Sequence, residues 1–341
     1  MANSTPVMKK AQEYPLYSLV IQAYKQEKYI RQTLKGAFDQ TYPNLEIIVC
    51  DDASPDHTWE IIEEEVRNYK GPHKIILHKN AENLGIAGAA SLAMKLPLGE
   101  VIIWNDGDDI SEPNRVMRIY EEFTRLGAET MMLWCDNLSI DALSNPVYEK
   151  HIRLYKRHSP VKLQDIKART LGSGMGPGGT NMAWKRIVSD SFPPISKEFL
   201  GWDFIITFRA LLIGRIAHIQ EKLIRYRTHP ESTTNSGRPT NLKKEYEKRA
   251  KGDCCFIQYF AQHLIDISTI AAQTQDPKLI REYTRIEFII QNLIRRQIVS
   301  FEIMSNFPNL SLKTLWKAIP YPGFHRHFIY AILYKLGFYH K

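Results

Sequence analysis

Residues 99–109 read GEVIIWNDGDD. Val101 to Trp104 is a short, β-branched apolar run, the pattern of a strand buried on both faces. It ends abruptly in a turn that carries Asp106, Asp108 and Asp109. Working outward, the same construction recurs. Apolar runs occur at 16–23 (LYSLVIQA), 45–50 (LEIIVC) and 74–78 (KIILH). Between them lie helical patterns at 27–40, where Ile30, Leu34 and Phe38 are spaced four apart, at 58–69 and at 86–95. A helix from about Pro113 to Leu126 and a strand at 130–135 follow. Strand and helix in alternation predict an α/β fold: a Rossmann-like, mostly parallel sheet flanked by helices. Such sheets bind ligands outside the carboxyl ends of their strands. Here those ends carry Gln22-Ala23-Tyr24, Asp51-Asp52 and Asp106 to Asp109.

Beyond residue 136 the pattern loosens. LGSGMGPGG at 171–179 is a glycine-rich loop running into TNMAWKR; 202–213 (WDFIITFRALLI) reads as a buried helix and 216–219 as a strand. The polar segment 228–241 predicts a hinge, and helices are expected at 241–272 and, after Asp276-Pro277, at 277–305. This divides the chain into a catalytic domain over 1–235, with halves at about 15–136 and 137–235, and a helical C-terminal region over 236–341.

The 341 residues are 44% hydrophobic and 24% charged, enough for full cores and unlike a disordered chain. Residues 1–150 hold 15 Lys and Arg against 23 Asp and Glu, a net −8; the remainder holds 30 against 14, a net +16. An acidic half that handles an anion calls for a metal, and a basic half fits phosphate or an anionic membrane face. No nucleic-acid motif accompanies the basic half. Cys50, Cys135, Cys254 and Cys255 lack zinc spacing and sit in apolar runs, which fits a reducing, cytoplasmic setting. No apolar signal region follows the polar N-terminus, and no stretch is long enough to span a bilayer.

Three carboxylates in four residues repel one another, and a cation would offset that cost. Few, hard oxygen ligands suit Mg²⁺ or Mn²⁺. The plainer reading is a solvated turn that caps the next helix at Ser111. Asp51-Asp52 reads either as a ligand contact or as an Asx-turn before a cap at Asp56 or Thr58.

The segments VIQAYKQEKYI, DQTYPNLEIIVCDDASPDHTWEII, NLGIAGAA and GEVIIWNDGDDISEPNRV resemble family 2 of the inverting glycosyltransferases, which have the GT-A fold. The likeness resumes at GGTNMAWKR, GWDFIITFRALLIGRI and YRTHPESTT, covering roughly residues 15–235. It implies transfer from a nucleotide-diphosphate sugar to a glycan or lipid-linked glycan in polysaccharide assembly. It also implies roles. Ala23, Tyr24 and Asp52 would line the nucleotide, Asp106 the donor, and Gly179 and Thr180 the loop between donor sugar and acceptor. Asp108 and His229 would hold the metal, with Arg227 beside the diphosphate. Asp203 would be the general base. The chain departs from the family pattern at Lys25, at Ala90-Ser91 and at Trp202, whose ring is placed to stack on a sugar.

The residues support this chemistry independently. Diphosphate is a leaving group whose charge grows, and a carboxylate opposite it can take the acceptor's proton. Asp203 opens an apolar helix, so desolvation would raise its pKa; alternatively it only charges the helix N-terminus. Arg227 and His229 read otherwise as solvated loop residues. A nucleotidyltransferase would place glycines in QAYKQEKY, which has none, and a non-catalytic binding protein would lack Asp108 or Asp203. The stretch 324–341 holds six aromatics and is apolar on most sides as a helix. It predicts either a peripheral contact with the inner membrane face or packing on protein, including a homodimer.

Overall fold

The computed structural model describes residues 14–147, 160–166, 178–197, 199, 201–232, 241–321 and 324–335. They form two compact units, meeting in the chain between residues 232 and 241. The first is built on one sheet. Its strands are β1 (Tyr17–Ala23), β2 (Leu45–Asp51), β3 (Lys74–Lys79), β4 (Val101–Asp106), β5 (Ile110–Ser111), β6 (Thr130–Ile140), β7 (Val161–Lys162), β8 (Met182–Lys185) and β9 (Arg215–Arg227). Their order is β3-β2-β1-β4-β8-β6-β9-β5, with β7 also on β9. The long ladders β3-β2, β2-β1, β1-β4 and β6-β9 are parallel; the four short ones, made by β8, β5 and β7, are antiparallel.

The strands β1, β2 and β4 are apolar on both faces because both are covered. Their odd-numbered residues, among them Leu19, Ile21, Ile47, Val49 and Ile103, form one core with α1 (Ile30–Phe38), α2 (Thr58–Asn68) and α4 (Arg115–Leu126). The other face carries α3 (Gly85–Ala93) against β1 and α6 (Trp202–Ile213) against β6 and β9. A short α5 (Ile187–Asp190) packs on α6.

Several boundaries differ from expectation. β9 runs to Arg227, not Ile219, because its second half mixes buried and exposed residues (Leu223, Ile224 and Arg227 in, Gln220, Lys222 and Arg225 out) rather than forming an apolar run. β6 likewise continues past a bulge at Cys135–Asn137 to Ile140, paired to β9 throughout. Ser111 is not a helix cap: it lies in β5, opposite Ile224, and its hydroxyl donates to Asn105 Oδ1. Helix α4 starts four residues later. Asp56 does act at the start of α2, accepting from the Thr58 amide at 3.2 Å and from the Thr58 hydroxyl. The cysteines are all free; Cys50 and Cys135 are buried, whereas Cys254 is exposed rather than apolar-packed.

The second unit is helical: α7 (Leu242–Ala271), α8 (Pro277–Asn306), α9 (Leu312–Ala318) and α10 (His325–Lys335). Asn241, Asp276 and Ser311 cap the first three through side-chain oxygens. Tyr246, Ala250, Met304, Phe307 and Ala331 make one cluster, and Val299, Ile303, Ala318 and Phe324 another. The predicted 324–341 helix is thus partly a packing element; residues 336–341 lie outside the described residues, as does 171–177 of the glycine-rich loop. No helix among the described residues is long and apolar enough to cross a membrane.

Two glycines give opposite expectations. A Cβ on Gly36 of α1 would come within 2.8 Å of the Ser111 carbonyl oxygen and 2.9 Å of Ile110 Cγ2, so α1 could not sit on β5. Gly36→Ala should destabilise the first unit by about 1–3 kcal/mol. A Cβ on Gly252, inside α7, meets open space, and Gly252→Ala should stabilise the second unit by about 0.5–1 kcal/mol. Differential scanning calorimetry of the two variants checks both signs.

Candidate active site

The carboxyl ends of β2, β1 and β4 lie side by side, with Ala23 opposite Asp51 and Gln22 opposite Asp106. The acidic turns therefore share one edge of the sheet. Between β4 and β1 the turn approaches very closely: a Cβ on Gly107 would lie 3.0 Å from both Ala23 Cα and the Gln22 carbonyl oxygen. Thr33 of α1 donates to the Gly107 carbonyl at 3.0 Å and holds the turn from behind.

On the β1–β2 side, Ala23 is buried and its carbonyl accepts from the Asp52 amide at 2.9 Å. Asp52 is buried too. Its carboxylate accepts from Asn80 Nδ2 and the Leu84 amide, both at 2.8 Å, and from Asn83 Nδ2 at 3.1 Å. It thereby ties the 80–84 segment over the strand end. Asp51 accepts from the Ser54 amide and hydroxyl, and the same hydroxyl accepts from the Lys25 amide at 3.0 Å. Lys25 and Ala53 both have φ in the left-handed region, 56° and 54°. Two non-glycine residues held there at adjacent turns mark a tightly determined backbone. Tyr24 projects outward with the Lys25 ammonium over its ring.

On the β4 side, Asp108 Oδ2 lies 2.9 Å from His229 Nε2. His229 is buried against Tyr29, ring centroids 4.7 Å apart. Asp106 accepts from Trp104 Nε1 at 3.1 Å, and its amide donates to Thr180 Oγ1 at 3.3 Å. Thr180 and Gly179 form a 3₁₀ turn at Gly179–Asn181, so the described end of the glycine-rich loop lies against the acidic turn. Burial, then the neighbouring Asp108 charge, pushes Asp106 up to about 7, and the same causes hold Asp109 well above the usual carboxylate range. Trp104, which bonds Asp106, packs on Trp202, so the neighbouring Asp203 lies on the same side of the site, and its charge adds to the rise at Asp106. Asp203 itself is half-buried in the first turn of α6, and burial pushes it up to about 6.

Two residues take positions other than those expected from the sequence. Trp202 is not free to stack on a sugar. It is buried with Trp104, 4.5 Å away, and Trp184, 5.9 Å away, and Gly179 lies directly on its ring. Arg227 is neither a solvated loop residue nor open to a diphosphate. Its guanidinium is buried over the Tyr29 ring and donates to the Asp108 carbonyl at 2.9 Å, to Gln32 Oε1 at 2.6 Å and to the 141–144 turn. Its amide donates to Asp109 Oδ1 at 2.7 Å. Arg227 supports the acidic turn from below.

Arg115 escaped the sequence reading. It is fully buried and donates to Asn105 Oδ1, Ser111 Oγ, the Trp104 carbonyl and the Thr180 carbonyl. It thus joins β4, the acidic turn and the 179–181 turn. A signal existed: Arg115, Ile119 and Phe123 are four apart on α4, which puts a charge on the buried face.

Sheet, acidic edge and helix-borne carboxyl define a nucleotide-sugar glycosyltransferase. The comparisons agree. The family model described as Glycosyl transferase family 2 matches residues 18–189. An uncharacterised glycosyltransferase of Rickettsia typhi is 30% identical over 244 residues, 70% of this chain and 72% of that protein. The Escherichia coli UDP-Glc:alpha-D-GlcNAc-diphosphoundecaprenol beta-1,3-glucosyltransferase WfaP is 43% identical over 94 residues, 28% of this chain and 36% of that protein. In fold, the S. aureus TarS 1–349 structure in complex with UDP-GlcNAc covers 89% of this chain and 79% of its own at a TM-score of 0.57 and 16% identity. The chain belongs to glycosyl transferase family 2, an inverting family with the GT-A fold.

Arg115→Met keeps an unbranched apolar stem but strands four buried acceptors and removes the cation beneath Asp106 and Asp109. Losing one side of such a buried polar network costs about 3–5 kcal/mol. Chemical denaturation of the variant should show a loss of that size, and its nucleotide affinity should fall with it.

Proposed function

We propose that the chain transfers a sugar, with inversion and with a divalent cation, from a nucleotide-diphosphate sugar to a hydroxyl of a glycan or lipid-linked glycan. The observation that carries this is the placement of Asp106, Asp108 and His229 at one strand end, with Asp203 beside them through the Trp104–Trp202 contact. The donor set fits a hard cation. Asp108 and His229 offer one carboxylate and one imidazole side by side, and no group of three or more His, Cys, Asp or Glu among the described residues could hold a metal alone. Mg²⁺ and Mn²⁺ accept such incomplete sites, taking phosphate oxygens and water in the remaining positions. When bound, the ion supplies charge stabilisation to the departing diphosphate.

The chain's own residues do the rest. The Ala23–Lys25 and Asp51–Ser54 turns receive the nucleoside, with Asp52 fixing the 80–84 segment around it. Gly107 lets the acidic turn sit on β1 and Gly179 lets the 179–181 turn sit on Trp202, which brings the two turns together beside the donor. Asp203 takes the proton of the acceptor hydroxyl as that oxygen attacks the anomeric carbon. A carboxyl near 6 is ionised at neutral pH yet more basic than a solvated one, which suits that task. A lipid-linked acceptor is supported by WfaP, whose name specifies a diphosphoundecaprenol-linked sugar.

Asp108→Ala removes a partner of the buried His229 imidazole, so the ligand-free protein should stay folded but lose about 1–3 kcal/mol of stability. The substitution should also abolish the thermal shift that a nucleotide-diphosphate sugar gives with Mn²⁺. Transfer that continues in excess EDTA contradicts the metal assignment.

Asp203→Asn should keep donor affinity and lower kcat by on the order of 10²–10⁴. Because the folded pKa lies above the ordinary value, Asp203 favours the fold most at low pH, and that contribution disappears as pH rises through about 6. Asn at this site should therefore hold or raise stability at neutral pH while removing activity. In the parent enzyme kcat/KM should fall below about pH 6 as the base is protonated. A pH–rate profile flat from about pH 5 to about pH 8 would place the base elsewhere.

A further inference from the structure

After Glu302 the chain contains no Asp or Glu, while Lys313, Lys317, Arg326, Lys335 and Lys341 add five positive charges. Within this stretch the short helices α9 and α10 have two kinds of face. Inward, Ala318, Phe324 and Ala331 are buried in the clusters of the second unit. Outward, Leu312, Trp316 and Ile319 follow one another at intervals of four and three residues, so they share a side of α9. They are 77%, 72% and 49% exposed. Ile329 and Ile332 of α10, three apart, are each 59% exposed. Large apolar side chains that recur on one face and stay in water mark a contact surface.

We propose that this face docks on the surface of an anionic lipid bilayer. Charge complementarity selects that occupant. The stretch has basic residues and no acidic ones, so a symmetric contact with a second copy would set two positive tails against each other. A nucleic acid would use the lysines but leave Leu312, Trp316 and Ile319 without a role. A bilayer surface uses both. Trp316 suits the headgroup level, the aliphatic residues reach the acyl boundary, and Lys313 and Lys335, both exposed, meet the lipid phosphates. Lys317 is held back by Glu302, which pairs with it. The contact lies flat, since no described helix can span. It stands whether or not the sugar acceptor is lipid-linked.

Flotation of the full chain with vesicles tests this. The protein should float with vesicles of equal phosphatidylglycerol and phosphatidylcholine and remain behind with phosphatidylcholine alone. Trp316→Glu, at a side chain that packs on little, should keep the melting temperature and lower binding at least tenfold. Lys313→Glu should lower it by roughly fivefold or more. Trp316 is the tryptophan most open to water, so vesicles should shift the emission of the parent protein to the blue and leave Trp316→Phe unshifted. Absence of flotation with the anionic vesicles overturns the proposal. So does undiminished flotation of Trp316→Glu, or a change in that variant's oligomeric state with vesicle binding unaltered, which would make the face a subunit contact.

Discussion

The structure depends on one electrostatic constraint: a fully buried guanidinium lies beneath a turn that carries three carboxylates. Arg115 makes no carboxylate hydrogen bond of its own. It donates to two backbone carbonyls, a hydroxyl and an amide oxygen, and its charge acts on Asp106 and Asp109 at a distance. This geometry ties the end of β4 to the 179–181 turn without neutralising the acidic edge. What remains of the repulsion is available to a cation and a diphosphate arriving together.

Arg227 repeats the device from the other side. It lies over Tyr29 and holds the Asp108 carbonyl and the Asp109 carboxylate, while His229, two residues on, packs at a tilt on the same ring and reaches the Asp108 carboxylate. The last residues of β9 and the first turn of the chain before α1 therefore determine where Asp108 points. The tryptophan cluster sets the opposite wall. Trp104 bonds Asp106 and packs on Trp202, so Asp203 is positioned by the residue beside it. Desolvation on that wall raises Asp203 at the expense of stability near neutral pH, a cost that falls on the group argued to take the proton.

Much of this was readable from residue order, because the informative features are local. The apolar runs at 17–23, 45–51 and 101–106 end in polar residues, and parallel pairing brings those ends together whatever the loops do. The longer half of β9 was missed because a mixed, half-exposed strand lacks an apolar run, and β5 and β8 because strands of two and four residues are defined by their partners. The burial of Trp202 and Arg227 depends on contacts with Trp104, Tyr29 and Gln32, separated by roughly a hundred residues or more, and no local pattern reports it. Arg115 is the intermediate case: its place on an apolar helix face was visible, but its four acceptors were not.

The proposed transfer requires Asp108 and His229 to meet a single cation beside the turns that would hold the nucleotide. Crystals soaked with a nucleoside diphosphate and Mn²⁺, measured at the manganese edge, locate the ion directly. An anomalous peak within coordination distance of Asp108 Oδ2 and His229 Nε2, contiguous with density for the diphosphate, is the predicted result. Manganese bound at Asp51-Asp52, or a diphosphate seated with no ion near Asp108, would contradict it.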